Sequence, residues 1–426
     1  MLPTPPIALL MTGDELMRGD TVDSNSATIA QALVAAGLRV DYKITVGDDR
    51  ALLLNSIGDR VSVSRILIIN GGLGPTSDDL TAEVVAEAAG RQLVEFPELA
   101  DTIRNWCEER GFQADTANLK QARLPEGAEV IANPVGSAAG FAVMIGACLV
   151  ITTPGPPREL GAMLPGVMAL VRQHVGGGSG STLRLQTFGL GESAIQEMVH
   201  NDIADWPPEV TLGFRAGLPM LELKLVIETP EHEALQRRCL EEMHALFGDH
   251  IIGEADVTLA ASLQTLLRER NMTITCAESC TGGLIASMLT QEPGASSVFE
   301  AGFVTYSNAM KHKLLGVSES TLEKHGAVSE PVVREMLGGA LSASGADTGV
   351  AVSGIAGPDG GTPDKPVGTV WFAWGGPNAI KSKRLLLPLG RDIFQTVVAA
   401  AAIDLIRRDL LGLPDVPHYF RRRDPQ

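Results

Sequence analysis

The sequence predicts a multidomain α/β protein, and three observations carry that expectation. The chain has 426 residues, too many for one ordinary core. Short apolar runs alternate with segments of helical periodicity, the pattern of βαβ crossovers around mostly parallel sheets. Aromatic residues make up 4% while hydrophobic residues reach 45%, a mix that suits helices packed closely on sheets better than a β-sandwich.

The elements follow in order. Ile7 to Met11 is a short apolar run leading into Thr12-Gly13-Asp14, a buried strand with a loop behind it. Ser24-Asn25-Ser26 can cap a helix carrying Ile29, Leu33 and Val34, closed by Gly37. Leu38 to Val46 alternates as a strand does, and a second helix carries Leu52, Leu53 and Ile57. Arg65 to Asn70 is another buried strand, followed by a glycine-rich loop and a helix with Val84, Val85 and Ala88 on one side. Gly176-Gly177-Gly178-Ser179-Gly180 is the plainest linker. Beyond it lie a strand at 183–188, a helix with Ile195, Met198, Val199 and Ile203, a strand pair near 210–214 and 221–227, and a closing helix at about 231–247. This small α+β module has no GxxG loop of the kind that clamps a nucleic-acid backbone. A third region starts near Ala255. It has a helix with Leu259, Leu263, Leu266 and Leu267 behind Thr258, then strands at 272–276, 298–305, 348–352 and 367–374. Helices lie between them, and a long helix holds Ile393, Val397, Ala401 and Leu405. The expected division is 1–172, 173–252, 253–415 and a basic tail at 416–426.

Charge and cysteine content narrow the function classes. A net charge of −17 argues against nucleic acid or an anionic membrane surface as partner, since binding phosphate-rich surfaces requires clustered Lys and Arg. The basic run Arg421-Arg422-Arg423 sits in the terminal tail. Five scattered cysteines with no CxxC pair indicate reduced thiols, and no segment reads as a signal peptide or membrane span, so a cytoplasmic location is expected.

Three strand-end loops in the last region carry chemistry. Ala277-Glu278-Ser279-Cys280-Thr281-Gly282-Gly283 lies where a buried strand stops and a helix begins, the place where open α/β sheets bind ligands. A serine there is a nucleophile or a helix N-cap. Amides of the following turn can hold an oxyanion or a phosphate, and Gly282 and Gly283 allow close approach. A serine nucleophile needs a base. His312 and His325 occupy no recognisable triad setting, whereas Tyr306 and Lys311, five residues apart just after a strand, can project over the same sheet edge. Otherwise Lys311 is a solvated surface residue. Ser353-Gly354-Ile355-Ala356-Gly357-Pro358-Asp359-Gly360-Gly361-Thr362 is either a backbone cradle for a ribose phosphate or a tight turn.

In this order AESCTGG, GFVTYSNAMK and SGIAGPDGGTPDKPVGTVWFA resemble the PncC-type nicotinamide mononucleotide amidohydrolases, and essentially the whole chain resembles the CinA family. The resemblance implies an N-terminal three-layer α/β molybdopterin-binding-like domain, a small KH-like α+β domain and a C-terminal α/β amidohydrolase domain. It implies deamidation of nicotinamide mononucleotide to nicotinate mononucleotide plus ammonia in pyridine-nucleotide salvage, with no cofactor. Ser279 becomes the nucleophile, Lys311 its base, and Tyr306 an orienting group, with no departure from the pattern at these positions. Substrate contacts are expected from Thr281, Gly282, Gly283, Gly354, Gly357, Gly360, Gly361 and the phosphate-facing Arg391. A homodimer is expected. The remaining alternatives are a nucleotide-binding scaffold with a decayed amidase site and an interaction role in DNA uptake or repair.

A second loop, Asn70-Gly71-Gly72-Leu73-Gly74-Pro75-Thr76-Ser77-Asp78-Asp79, repeats the strand, glycine-rich loop and helix-start arrangement. It favours an anion, with Asp78 and Asp79 acceptable only if a divalent metal bridges them to phosphate, or else one of them caps the helix. Asp14, Asp20, Asp23 and Asn25 can face the same crevice. Molybdopterin-binding relatives carry Thr and Arg at the positions of Leu73 and Asp78, which argues against a pterin. The resemblance implies instead a metal-dependent ADP-ribose pyrophosphatase using Gly72, Gly74, Thr76, Asp78, Asp79, Asp20 and Asn25.

Overall fold

The computed structural model describes residues 6–175 and 180–414, so the glycines at 176–178 and the tail Arg421-Arg422-Arg423 lie outside the described residues. The chain divides into two compact units, Met1–Thr182 with Ile227–Glu233, and Leu183–Val226 with Ala234–Gln426.

The first unit is built on a six-stranded sheet. Its strands run in the order Tyr42–Val46, Ile7–Thr12, Ile66–Asn70, Cys148–Thr153, Gly140–Ile145 and Glu129–Ile131. The first four are parallel and the last two antiparallel. Ile7–Thr12 and Ile66–Asn70 are buried at every position, as expected of strands covered on both faces. One face packs Ile29, Leu33, Leu160 and Val167 from helices Asn25–Ala35 and Pro157–Val175. The other packs Leu53, Ile57, Val84 and Val85 from Arg50–Val61 and Thr81–Ala88. The antiparallel edge is not apparent in the sequence, because its strands are short and lack two-residue period across their whole length.

In the second unit, a four-stranded sheet runs Thr211–Ala216, Leu221–Ile227, Ser181–Thr187, Ile251–Glu254. The last of these strands extends the α+β module beyond the helix Glu233–Phe247, where the sequence pattern had ended it. A five-stranded sheet runs Phe299–Val304, Ile274–Glu278, Thr348–Gly354, Thr369–Gly375, Lys381–Leu386, parallel for three strands and antiparallel for two. Its outermost strand Lys381–Leu386 and the helix Glu319–His325 are not anticipated by periodicity, since both are short and half polar. The Ala-rich helix Arg391–Leu411 is buried along Val398–Ile406, where small side chains let it lie close to the sheet. All five cysteines are free and buried, and among the described residues no helix is long and apolar enough to cross a membrane.

Candidate active site

Parallel pairing of two strands brings the nucleophile and its base together. Glu278 stands opposite Val304 in the register of Ile274–Glu278 with Phe299–Val304, and the next amide, Thr305 N–H, donates to Glu278 O at 2.9 Å. Ser279 and Thr305 therefore leave the sheet side by side. Ser307 then caps the helix Asn308–Leu315 by accepting from Met310 N–H at 3.3 Å, which sets Lys311 in the first turn facing inward. Lys311 Nζ lies 2.9 Å from Ser279 Oγ, 2.8 Å from Thr305 O and 3.2 Å from Tyr306 O. Lys311 is 1% exposed and Ser279 8%, so the surface alternative for this lysine does not hold.

Burial pushes the Lys311 ammonium down from 10.5 to about 8. The geometry also matches the neutral amine. A neutral amine has two N–H groups and one lone pair; with the two carbonyls taking both hydrogens, the lone pair is left for the Ser279 hydroxyl.

These residues open into a cavity of about 190 Å³ with Cys280, Ala327, Val328 and Arg391 among its lining. Arg391, first residue of the long helix, donates to Gly357 O at 2.9 Å and to the Tyr306 hydroxyl at 3.2 Å. Tyr306 is 61% exposed at the rim. Gly354 lines the cavity from the third strand, and Ser353 Oγ donates to Ala327 O at 2.8 Å, tying that strand end to the wall. Gly360 and Gly361 are exposed and, like Gly357, not part of the lining; the loop lines the cavity through Ser353, Gly354 and Ala356, and Gly357 contributes only its carbonyl, which accepts from Arg391.

The expected oxyanion donors need correction. Glu278 is fully buried and accepts from Thr281 Oγ1 at 2.6 Å, Gly283 N–H at 3.0 Å, Ile285 N–H at 3.1 Å and Ala286 N–H at 2.9 Å. Gly282 N–H donates to Ser279 O at 3.2 Å. The turn amides of Gly282 and Gly283 and the Thr281 hydroxyl are thus engaged within the protein. Among the described residues no hydrogen bond occupies the N–H of Cys280 or Thr281. The unnoticed signal for Glu278 was a carboxylate at the end of a run that is otherwise buried, where a charge requires partners.

The first unit holds a separate cavity of about 540 Å³, lined by Gly72, Gly74, Asp78, Asp79 and also by Asp48 and Glu159, which sequence reasoning missed. Asp48 arrives by pairing: its carboxylate accepts from Thr12 Oγ1 at 2.8 Å and from Asp14 N–H at 3.0 Å. Gly72 has φ +66, and a side chain there would collide with Thr81 Oγ1. Thr76 is not in the lining; its N–H and hydroxyl donate to Asp79, which closes the loop on itself rather than capping the helix Thr81–Ala88. Asp20 is exposed and outside the cavity. Asn25 is a buried strut, donating to Asn70 Oδ1 at 2.8 Å and Gly155 O at 2.6 Å. Asp23 accepts from Ser26 N–H at 2.9 Å and pairs with Lys43 at 2.9 Å. Among the described residues no group of three or more His, Cys, Asp or Glu is arranged to hold a metal.

Comparison with known proteins agrees with both halves. Residues 256–410 match the CinA C-terminal domain, and residues 8–173 match the probable molybdopterin binding domain. A CinA-like protein of Colwellia psychrerythraea is 48% identical, covering 98% of each chain. The nicotinamide-nucleotide amidohydrolase PncC of Shewanella oneidensis is 38% identical, covering 95% of this chain and 96% of its own. A CinA superfamily crystal structure from Klebsiella pneumoniae is 36% identical over 36% of this chain and 96% of its own, with a TM-score of 0.35. The chain belongs to the CinA family.

Proposed function

We propose that the second unit is an amidohydrolase that deamidates nicotinamide mononucleotide, with Ser279 as nucleophile and Lys311 as base. The observation that carries this reading is the 2.9 Å approach of a buried amine to a buried serine hydroxyl at a strand-end cavity. A lysine at about 8 is neutral in about one molecule in ten at pH 7, against about one in three thousand at its ordinary 10.5. The neutral amine takes the Ser279 proton as the oxygen attacks the carboxamide carbon. Cys280 N–H, the amide following the nucleophile, is placed in sequence as the oxyanion donor of nucleophile-elbow enzymes is. Lys311 then delivers the proton to departing ammonia, and water attacks the resulting ester by the same route in reverse. Arg391, braced on Gly357 O and the Tyr306 hydroxyl at the cavity rim, is the cation for the substrate phosphate.

The test is ammonia release from the mononucleotide, its riboside and free nicotinamide by the purified chain. Turnover of the mononucleotide, lost by at least a thousandfold in Ser279→Ala, supports the reading. Absence of turnover in the wild-type chain favours the decayed-scaffold alternative instead.

We infer a separate nucleotide-sized pocket in the first unit, and ADP-ribose is the ligand the family resemblance implies. The fit with a resident metal is poor: Asp79 is engaged by Thr76, and among the described residues no group of three or more His, Cys, Asp or Glu that includes Asp78 is arranged to hold one. Glu15, Asp48, Asp78, Asp79 and Glu159 line the cavity, and Lys120, which donates to Asp79 O at 2.7 Å, stands beside it, so a bare diphosphate meets an excess of negative charge there. AMP formation from ADP-ribose by the full chain, with and without added divalent cation, tests this second activity.

A further inference from the structure

We propose that Gln395 is a positioning residue for the amide hydrolysis: from the second turn of the helix Arg391–Leu411 it holds the peptide that follows Cys280 and so aims the oxyanion-binding amide beside the nucleophile. This rests on the amidohydrolase reading above. Gln395 Nε2 donates to Cys280 O at 2.7 Å. A trans peptide unit is planar, so its C=O and N–H point in opposite directions and holding one aims the other. The nucleophile turn uses this twice. Ser279 O accepts from Gly282 N–H at 3.2 Å, which orients the plane carrying Cys280 N–H. Cys280 O accepts from Gln395, which orients the plane carrying Thr281 N–H. Among the described residues neither of these two N–H groups has an acceptor, and Cys280 lines the cavity.

Both dihedrals of Cys280 lie between those two planes, so the direction of its amide is set only while both carbonyls are held. The first plane is closed by the turn's own bond; the second is held from outside, by the helix. The bonds of Glu278 reach the Thr281 hydroxyl and the amides from Gly283 onward, so they grip neither plane directly. Phe394 and Val398, on either side of Gln395 in the helix, belong to the buried cluster that includes Cys280, which gives Gln395 a fixed base to reach from. Arg391 stands four residues before Gln395, on the same side of the helix, and lines the cavity. One helix end thus carries both the cation for the substrate phosphate and the grip on the nucleophile turn. As Ser279 Oγ bonds to the carboxamide carbon, the carbonyl π pair moves onto oxygen, and a correctly aimed N–H is worth most at that moment. An amide released to swing loses rate in the transition state rather than affinity for the substrate.

The experiment compares the full wild-type chain with Gln395→Met, which keeps the length of the side chain without an N–H, and Gln395→Glu, which keeps its shape but presents an acceptor to the carbonyl. Two rates are measured across pH: hydrolysis of the mononucleotide, and labelling of Ser279 by a fluorophosphonate, whose phosphoryl oxygen takes up charge where the amide oxygen would. The extent of labelling at completion counts the competent sites. Gln395→Met is expected to lower kcat per competent site about 10- to 100-fold with KM within about threefold of wild type, and to slow labelling in parallel. The pH midpoint should stay where it is in the wild type, because Gln395 makes no contact with Lys311. Gln395→Glu should lose at least as much. Fewer competent sites with wild-type kcat at each would make Gln395 a structural strut and overturn the proposal. So would a rise in KM alone, a moved midpoint or wild-type behaviour. Should Gln395→Met not fold, Gln395→Glu decides by the same criteria. Labelling of the wild type without hydrolysis of the mononucleotide would refute the substrate, while the labelling rates still test Gln395; absence of both would overturn the amidohydrolase reading and this inference with it.

Discussion

Replacing Lys311 by Met should make the second unit's stability respond differently to pH, and the size of the effect can be worked from burial. Lys311 is 1% exposed, and burial lowers its amine from 10.5 to about 8. Below pH 8 the amine is protonated in both folded and unfolded chains, and the folded state carries the whole penalty. That penalty is about 3 kcal/mol for a shift from 10.5 to about 8. Between pH 8 and 10.5 the unfolded chain binds more protons than the folded one, so the wild type gains stability as pH rises; above 10.5 the penalty is gone. Methionine has no amine and shows none of this. Between pH 7 and 9.5 the wild type should therefore gain about 2 kcal/mol on Lys311→Met, or about 4–8 °C in midpoint for a domain of this size. The absolute difference at any one pH is less informative, because the variant leaves Thr305 O and Tyr306 O without their donor, a pH-independent cost of about 1–3 kcal/mol each. Cys280, pushed up to about 12 by burial, stays a thiol throughout and does not blur the comparison. Urea denaturation of both proteins across this pH range is the assay. A wild-type-minus-variant difference that is flat with pH, or that falls, refutes the claim that a buried, depressed amine sits at this position.

Other expectations are read from the same geometry. In the wild type kcat/KM for the mononucleotide should climb with pH through about 8 and then level, the limb of a base that must lose its proton. Arg391→Ala should raise KM about 10- to 100-fold for the mononucleotide and little for the riboside, because only the former offers a phosphate to the guanidinium. Asn25→Ala should cost the first unit about 2–4 kcal/mol in denaturation, since the amide bonded to Asn70 Oδ1 and Gly155 O leaves buried acceptors behind.

Much of the active site was legible in the sequence because its parts lie at strand ends. Strand ends are marked by where an apolar run gives way to glycine and serine, as at Ser279 and at Ser353-Gly354. Lys311 could be named from its distance past a strand, but not its burial. Nothing in a ten-residue window says that the amine turns inward to meet two carbonyls and a hydroxyl. Residues such as Ala327 and Val328 carry no chemical mark at all, yet they line the cavity, where Ala327 O accepts from Ser353 Oγ and Ala327 packs against the core. Asp48 reaches the first unit's cavity through bonds to Thr12 and Asp14, residues far from it in the chain.

Local sequence by itself determined where strands stop, which loops have room for a ligand and which side chains could act as nucleophile and base, because backbone conformation and hydrophobic period are short-range properties. Only the tertiary structure decided that Ser279 and Lys311 are within hydrogen-bond reach and that the amine is stripped of water. It alone decided that the turn amides of Gly282 and Gly283 are already taken and that Thr76 and Asp79 bind each other. Those outcomes depend on strand register and on competition among donors and acceptors from distant segments, and the energy of each bond is decided by what else is buried beside it.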